Sequence, residues 1–315
     1  MKIIIPILAI ALILRIIATF YQVNDLNFNI QQDNYADYAS ALNKGFSSKS
    51  FLNTSDTRLF PGYPILIFMV SKFMISPIVA GYMISLFSSL LSIYLFWRLT
   101  GKKFATLVFA VFPPIWIAQS VKVATEPITV LLLLISIILY KKKMIFYSGI
   151  ILGLATDIRL ISISLLAALI LQLTFLKHRK GIICLMLGFL PIFFSLFIYN
   201  YFVFGVSGIF RQFEFYPSIG QASIGFIQIF KDFAKAILEG QYRTLFSGLL
   251  YILITLLAVL GLYKKRRLSS FNNLCYYWML FSLLFIFTYG PTPLLGEYGR
   301  FLVPVLPALI VGIVP

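Results

Sequence analysis

The sequence predicts an all-α, polytopic integral membrane protein with about ten transmembrane helices, forming a single membrane domain over residues 1–315. Of the residues, 60% are hydrophobic and only 11% are charged, whereas soluble domains carry about 25% charged residues. Apolar runs near the ~18–20 residues needed to cross a bilayer recur along the chain. The basic residues lie in short clusters between these runs, which is typical of cytoplasmic loops and does not indicate nucleic-acid binding.

The apolar runs place the helices in order along the chain. The first run is too long for a signal peptide, contains Arg15 and has no small-residue cleavage site after it, so we expect a retained helix. Residues 60–75 are apolar but short and contain two early prolines, which favours a re-entrant or interfacial segment. The predicted helices cover residues 3–21, 77–97, 104–120, 126–140, 144–156, 160–176, 181–203, 245–263, 271–289 and 301–315.

The charge distribution predicts the topology. If residues 60–75 do not span and the N-terminus is cytoplasmic, the basic clusters at 102–103, 141–143, 177–180 and 264–267 all lie inside. Both termini are then cytoplasmic, and all ten acidic residues lie on the outer side. The outer side also carries two long segments, residues 22–76 and 204–244, so we expect the chemistry there. Cys184 and Cys275 lie in apolar runs without a pairing pattern, and we expect both to be buried.

The first outer segment contains the stretch "QQDNYADYASALNKGF". In a helix, an apolar stripe would form on one face, and Asp33 and Asp37 would share another face one turn apart. Such a helix lying on the outer leaflet would hold both carboxylates at the water boundary. Like charges at this spacing are unfavourable unless a cation, a metal or a substrate hydroxyl meets them. An interfacial helix with an acidic polar face is the alternative. The stripe comprises Tyr35, Tyr38, Leu42 and Phe46.

Further candidates come from two helix junctions. "TRLFPGYPILI" places Arg58 before a turn that contains Tyr63, either at a cavity or in a simple re-entrant loop. "VKVATEPITVLL" places Lys122 and Glu126 between two helices. A helix-capping role explains Glu126 adequately, because Pro127 suits a first helical position and an acid suits the positive end of the dipole.

The remaining candidates lie further along the chain. "GLATDIRLIS" places Asp157 and Arg159 between two helices, as a functional charge pair or as a local ion pair that satisfies itself. "GPTPLLGEYGRFLVPVLPALI" places Glu297 and Arg300 at the start of the last helix. Arginine is the residue that holds phosphate with two parallel hydrogen bonds.

These motifs, in this order, resemble the GT-C glycosyltransferases. The similarity is greatest to small prokaryotic relatives of the GPI-anchor mannosyltransferases and to the protein O-mannosyltransferase-like group. The best matches in the first outer segment are Asp33, Tyr35, Ala39 and Gly45, while Asn34 stands where an Asp-Glu pair would continue. The resemblance implies transfer of a sugar, with mannose in keeping with these relatives, from a polyprenyl-phosphate carrier on the outer face. The acceptor would be a glycan, lipid or protein hydroxyl.

The resemblance and the charge pattern assign expected roles. Asp33, with Asp37 as the other candidate, activates the acceptor, and Arg300, then Arg159, then Lys122 bind the donor phosphate. Supporting roles fall to Arg58, Tyr63, Glu126 and Glu297. No cofactor is implied, and a divalent metal is left open. The rival class is a lipid-linked saccharide transporter or flippase, which would place charges near the bilayer midplane; a structural membrane subunit is a third.

Overall fold

The fold is given by a computed structural model that describes residues 4–23, 34–42, 60–73, 76–204, 242–289 and 298–314. These residues form helices joined by short turns and contain no β-strand, which confirms the all-α prediction for this part of the chain. The helices are α1 (Ile4–Val23), α2 (Tyr35–Leu42), α3 (Gly62–Ser71), α4 (Pro77–Thr100), α5 (Lys103–Val111), α6 (Pro114–Ser120), α7 (Thr125–Lys141), α8 (Ile145–Ile158), α9 (Ile163–Phe175), α10 (Arg179–Phe204), α11 (Tyr242–Lys265), α12 (Ser270–Tyr289), α13 (Tyr298–Leu302) and α14 (Leu306–Ile313).

Three helices of the described part are long and apolar enough to cross a membrane: Ile4–Tyr21, Pro77–Thr100 and Arg179–Phe202. The bent pair α5 and α6 would make a fourth if it forms one span. The described part of the segment 60–75, which was predicted to be re-entrant or interfacial, contains α3, whose 10 residues extend about 15 Å at 1.5 Å per residue. That length is half of a hydrocarbon core of about 30 Å, so α3 alone cannot span.

The prediction of one continuous helix over 104–120 is wrong. The structure has two helices, α5 and α6, with an angle of 64° between them. The break contains Pro113 and Pro114, and Pro113 adopts an extended conformation with φ −82° and ψ 105°. Proline lacks a backbone N–H, and it also disfavours the helical conformation of the residue before it, so two successive prolines end the first helix.

The last predicted helix, 301–315, is also interrupted. Helix α13 ends at Leu302, a 3₁₀ turn follows at Val303–Val305, and α14 begins at Leu306. Pro304 lies in the turn and Pro307 at the start of α14. Proline is tolerated in the first turn of a helix but not in its interior, so α14 restarts around these positions.

The chain divides into two compact units. The first contains Met1–Ser162 and Lys180–Phe213. Here α7 packs against both α4 and α8, and α2 packs against α3 and α4. Helices α8 and α10 approach each other closely at Gly149 and Gly188. A Cβ atom at either position would collide with backbone atoms of the opposite helix.

The second unit contains Ile163–Arg179 and Glu214–Pro315. Helix α9 packs against α12, and α11 packs against α14. The Ser282 hydroxyl donates to the Ser164 hydroxyl at 2.8 Å between α12 and α9. The Lys265 ammonium donates to the carbonyls of Val311 and Gly312 at 3.2 and 3.1 Å. A cation placed at the negative end of a helix in this way stabilises it.

The helices expose large apolar side chains and bury hydroxyl groups. Exposed positions on the candidate spans include Ile13 at 55%, Phe87 at 64% and Ile198 at 58%. Ser136 and Ser148 are fully buried, and their hydroxyls pair at 2.8 Å between α7 and α8. Cys275 is buried as expected, but Cys184 is exposed, so that prediction is wrong. A helix that is apolar on all sides carries no signal of which side faces its neighbours.

Candidate functional site

A buried ion pair joins the start of α7 to the end of α8. The Arg159 guanidinium donates to the Glu126 carboxylate and to the Thr125 hydroxyl, the latter at 3.2 Å. The Glu126 side chain is fully buried, and that of Arg159 is 14% exposed. Glu126 lies in the first turn of α7, as the capping interpretation predicts. No pattern in the sequence indicates its pairing with Arg159, which lies 33 positions away.

Asp157 lies one residue before the end of α8 and is 9% exposed. The predicted local ion pair with Arg159 is wrong, since Asp157 makes no ion pair with any described residue. Its Oδ1 atom is buried and has no hydrogen-bond partner among the described residues. The Ser195 hydroxyl of α10 lies within hydrogen-bonding range of the carboxylate.

The turn at the start of α3 fits closely against Asp157. A Cβ atom on Gly62 would lie 2.8 Å from the Asp157 carbonyl oxygen, so only glycine allows this approach without a shift of the backbone. The motif "FPGYP" and the motif "GLATDIRL" are therefore in direct contact through their backbones. This contact fixes the position of Asp157 relative to α3.

Helix α2 carries the predicted aromatic stripe on its buried face. Tyr35, Tyr38 and Leu42 are 6%, 5% and 5% exposed, which confirms this part of the prediction, while Asp37 is exposed on the opposite face. Helix α2 begins after Asn34, whose φ of 49° is one that asparagine tolerates better than most residues. Phe46, the last residue of the predicted stripe, lies outside the described residues.

A tyrosine pair connects α2 to α10. The phenol groups of Tyr38 and Tyr199 form a hydrogen bond. Burial raises the pKa of the Tyr38 phenol above its ordinary value, and the neighbouring Tyr199 raises it further. The Tyr38 phenol therefore stays neutral at physiological pH. Tyr199 lies one helical turn after Ser195, so α10 contacts both Asp157 and α2.

The Tyr63 side chain lies in the interior of the first unit and not on its surface. It is fully buried, and its hydroxyl is 3.1 Å from both the Gly81 carbonyl oxygen and the Ser85 hydroxyl. Its ring meets that of Tyr35 edge to face, with 5.1 Å between the centroids. Tyr63 thus supports the site by holding α2 and α3 against α4.

The helices that carry these groups meet around one apolar cluster in the first unit. Residues from α2, α3, α4, α7 and α8 contribute to it, together with Val123 from the turn before α7. The structure therefore brings together the elements that carry Asp37, Glu126, Asp157 and Arg159. The cluster includes Tyr35, Ala36, Ala39, Tyr63, Ile67, Ala80, Val123, Ile128, Leu131 and Ile158.

Two further predicted site residues, Lys122 and Arg300, lie in described parts of the chain. Lys122 is half-buried in the turn before α7. Arg300 is half-buried in α13, within the second unit. Asp33, Arg58 and Glu297 lie outside the described residues, so their predicted roles stay predictions. Sequence reasoning named Asp157 only as a partner of Arg159, although its place at the end of an apolar helix was a signal in its own right.

No group of three or more His, Cys, Asp or Glu side chains within the described ranges is arranged to hold a metal ion. Comparisons with protein-family models, with curated proteins and with solved structures find no match to this chain.

Proposed function

We propose that the protein is a membrane glycosyltransferase that transfers a sugar, with mannose as the first candidate, from a polyprenyl-phosphate carrier to an acceptor hydroxyl. It acts as a multi-pass protein of the cell membrane with about ten transmembrane helices. Both termini are cytoplasmic, and the active site is on the outer face. The partners are the lipid-linked donor, a glycan, lipid or protein acceptor, and the surrounding membrane lipids.

One observation carries this proposal. The stretches that suggested the GT-C resemblance are far apart in sequence, yet four of them meet in the first unit. Tyr35 and Tyr63 are in ring contact, Gly62 touches the backbone of Asp157, and Glu126 pairs with Arg159. Charged groups this deep in an apolar bundle are costly and are usually retained for function.

The reaction requires few protein groups. An acceptor oxygen attacks the anomeric carbon, and the bond from that carbon to the phosphate oxygen breaks. The lipid phosphate leaves with the bonding electron pair, and it is already ionised, so it needs no acid. The proton of the acceptor hydroxyl passes to a carboxylate, which we assign to Asp33 or Asp37. General-base assistance of this kind contributes about 10²–10⁴-fold in rate.

The donor phosphate needs fixed cations. Arg300 remains the first candidate, followed by Arg159 and Lys122, because a guanidinium matches the geometry of a phosphate. The Glu126 carboxylate orients the Arg159 guanidinium in the described structure. A preorganised cation costs no reordering during the reaction and stabilises the charge that develops on the leaving phosphate.

The transport alternative has less support. Arg15 is the charge that lies well inside a predicted span, and it is fully buried. Its guanidinium donates to the Ser89 hydroxyl at 2.9 Å and to the carbonyls of Ala11 and Ala110 at 3.0 and 3.3 Å. These contacts fasten α1 to α4 and α5, which is a structural role rather than that of a moving ion site.

Carboxylate variants test the proposal. Membranes containing the protein are incubated with radiolabelled polyprenyl-phosphate sugars, and release of label from the lipid is measured. Asp33→Asn should lose most of the transfer while expression is maintained. Asp37→Asn should lose less if Asp37 only supports the helix surface. Asp25→Asn is the matched control, because Asp25 lies in the same outer segment and has no assigned role. Full activity in both Asp33→Asn and Asp37→Asn would refute the assignment.

A further inference from the structure

Asp157 is a buried acid whose carboxylate lacks some of the hydrogen bonds that it could accept. An ionised carboxylate accepts hydrogen bonds at about four lone-pair positions, but its Oδ1 has no partner among the described residues. Asp157 also lies in the last turn of α8, where the helix dipole disfavours a negative charge. A carboxylate in such a position is costly unless a further donor meets it.

Among the described side chains, the Ser195 hydroxyl reaches the carboxylate, but it leaves Oδ1 without a partner. Ser195 has a single hydroxyl hydrogen, and its oxygen lies 2.6 Å from the Ile192 carbonyl, to which it donates. Arg159, two residues further along, is held by Glu126 and Thr125. Gly62 approaches the Asp157 backbone with no side chain of its own. The Asp157 backbone is therefore fixed by its close contact with Gly62, and its buried Oδ1 lacks a hydrogen-bond partner among the described residues.

We infer that Asp157 forms a subsite that accepts a hydrogen bond from a sugar hydroxyl of the substrate. This inference rests on the proposed function, since it assigns a specificity residue to the same site. A neutral hydroxyl is the ligand class that fits, because it supplies one hydrogen and brings no charge into an apolar region. A metal ion fits less well, since no group of three suitable ligands is found in the described part of the chain.

A subsite of this kind has a measurable signature. A site built to bond a hydroxyl rejects the analogue that lacks it, because the protein group is then left buried and unpaired. Asp157→Asn replaces one carboxyl oxygen by an amide group that only donates, so losing a hydrogen bond from the hydroxyl should weaken binding about tenfold. Asp157→Asn retains the size of the side chain and removes the charge.

Binding of defined probes to the purified full-length protein tests this inference. The probes are octyl mannoside, its single-deoxy analogues, polyprenyl-phosphate mannose and unsubstituted polyprenyl phosphate. The wild type should bind one hydroxyl-bearing probe at least tenfold more tightly than its counterpart without that hydroxyl. Asp157→Asn should bring this ratio close to one. If octyl mannoside binds more tightly than one of its deoxy analogues, the hydroxyl belongs to the acceptor. If polyprenyl-phosphate mannose binds more tightly than unsubstituted polyprenyl phosphate, the hydroxyl belongs to the donor sugar.

The controls separate binding from folding and from transfer. Ser136→Ala breaks a buried hydroxyl pair elsewhere on α7 and should leave the ratio unchanged. If Asp157→Asn does not fold, the wild-type protein is treated with a lipophilic carbodiimide that labels Asp157. The hydroxyl-bearing probe should then reduce this labelling. An unchanged ratio in Asp157→Asn, no hydroxyl preference in the wild type, or no protection would each overturn the inference. Radiolabel transfer is measured separately, so hydroxyl-dependent binding without transfer would refute only the proposed function.

Discussion

The ion pair between Glu126 and Arg159 gives the sharpest prediction for the fold. Arg159→Met keeps much of the side-chain volume but leaves the fully buried Glu126 carboxylate without its cation. Removing one member of a buried ion pair costs about 3–5 kcal/mol, because an uncompensated charge remains in the interior. The lost hydrogen bond from Arg159 to the Thr125 hydroxyl contributes to the same cost.

A double variant isolates the interaction. In Glu126→Gln/Arg159→Met no buried charge remains, so the double variant should be more stable than Arg159→Met alone. The coupling energy should lie between about 0.5 and 3 kcal/mol, the range found for residues in contact. Unfolding in mixed micelles, followed by tryptophan fluorescence, measures all four proteins. Lys141→Met is the matched control, because Lys141 is an exposed cation at the other end of α7 and should change stability by less than about 0.5 kcal/mol.

Two results would refute this reasoning. The first is an Arg159→Met variant within about 0.5 kcal/mol of the wild type, which is the range of ordinary surface substitutions. The second is a double variant whose loss equals the sum of the two single losses. Either result would mean that the pair does not hold α7 to the end of α8.

Three further predictions follow from the packing, the phosphate site and the topology. Gly149→Ala would press a Cβ atom against the Leu185 carbonyl of α10, so it should destabilise the first unit by about 1–3 kcal/mol, measured by the same unfolding assay. Arg300→Lys keeps the charge but loses the paired hydrogen bonds, so transfer should fall while membrane insertion is unchanged; normal transfer in both Arg300→Lys and Arg300→Ala would remove Arg300 from the site. Cysteines introduced at Ser48 and Ser269 should label from opposite sides of the membrane, and labelling from one side would refute the ten-helix topology.

Several elements were predictable because the signal was local. Long apolar runs located α1, α4 and α10 to within a few residues. The spacing of Tyr35, Tyr38 and Leu42 predicted the buried face of α2. The breaks near Pro113 and Pro304 were visible in the sequence, but a proline inside an apolar run can mark either a kink or a new helix. Only the packed structure distinguishes these two outcomes.

Other features depend on contacts between distant parts of the chain. Arg159 could pair with Asp157, two residues away, or with a distant acid, and nothing local decides between them. The structure selects Glu126 because the start of α7 meets the end of α8. The exposure of Cys184 was not predictable for a related reason. In an apolar helix with no polar stripe, the side that packs depends on the neighbouring helices.

The most direct measurement of the central claim is sugar transfer by the wild-type protein. Purified protein in lipid vesicles is given a panel of radiolabelled polyprenyl-phosphate sugars, and membrane extract from cells lacking the protein supplies acceptors. We expect label from at least one donor to move from the lipid phosphate to a product, and we expect Asp33→Asn to remove most of this transfer. Label that stays on its lipid with every donor, while the protein moves the intact lipid-linked sugar across the vesicle membrane, would refute the proposed transferase.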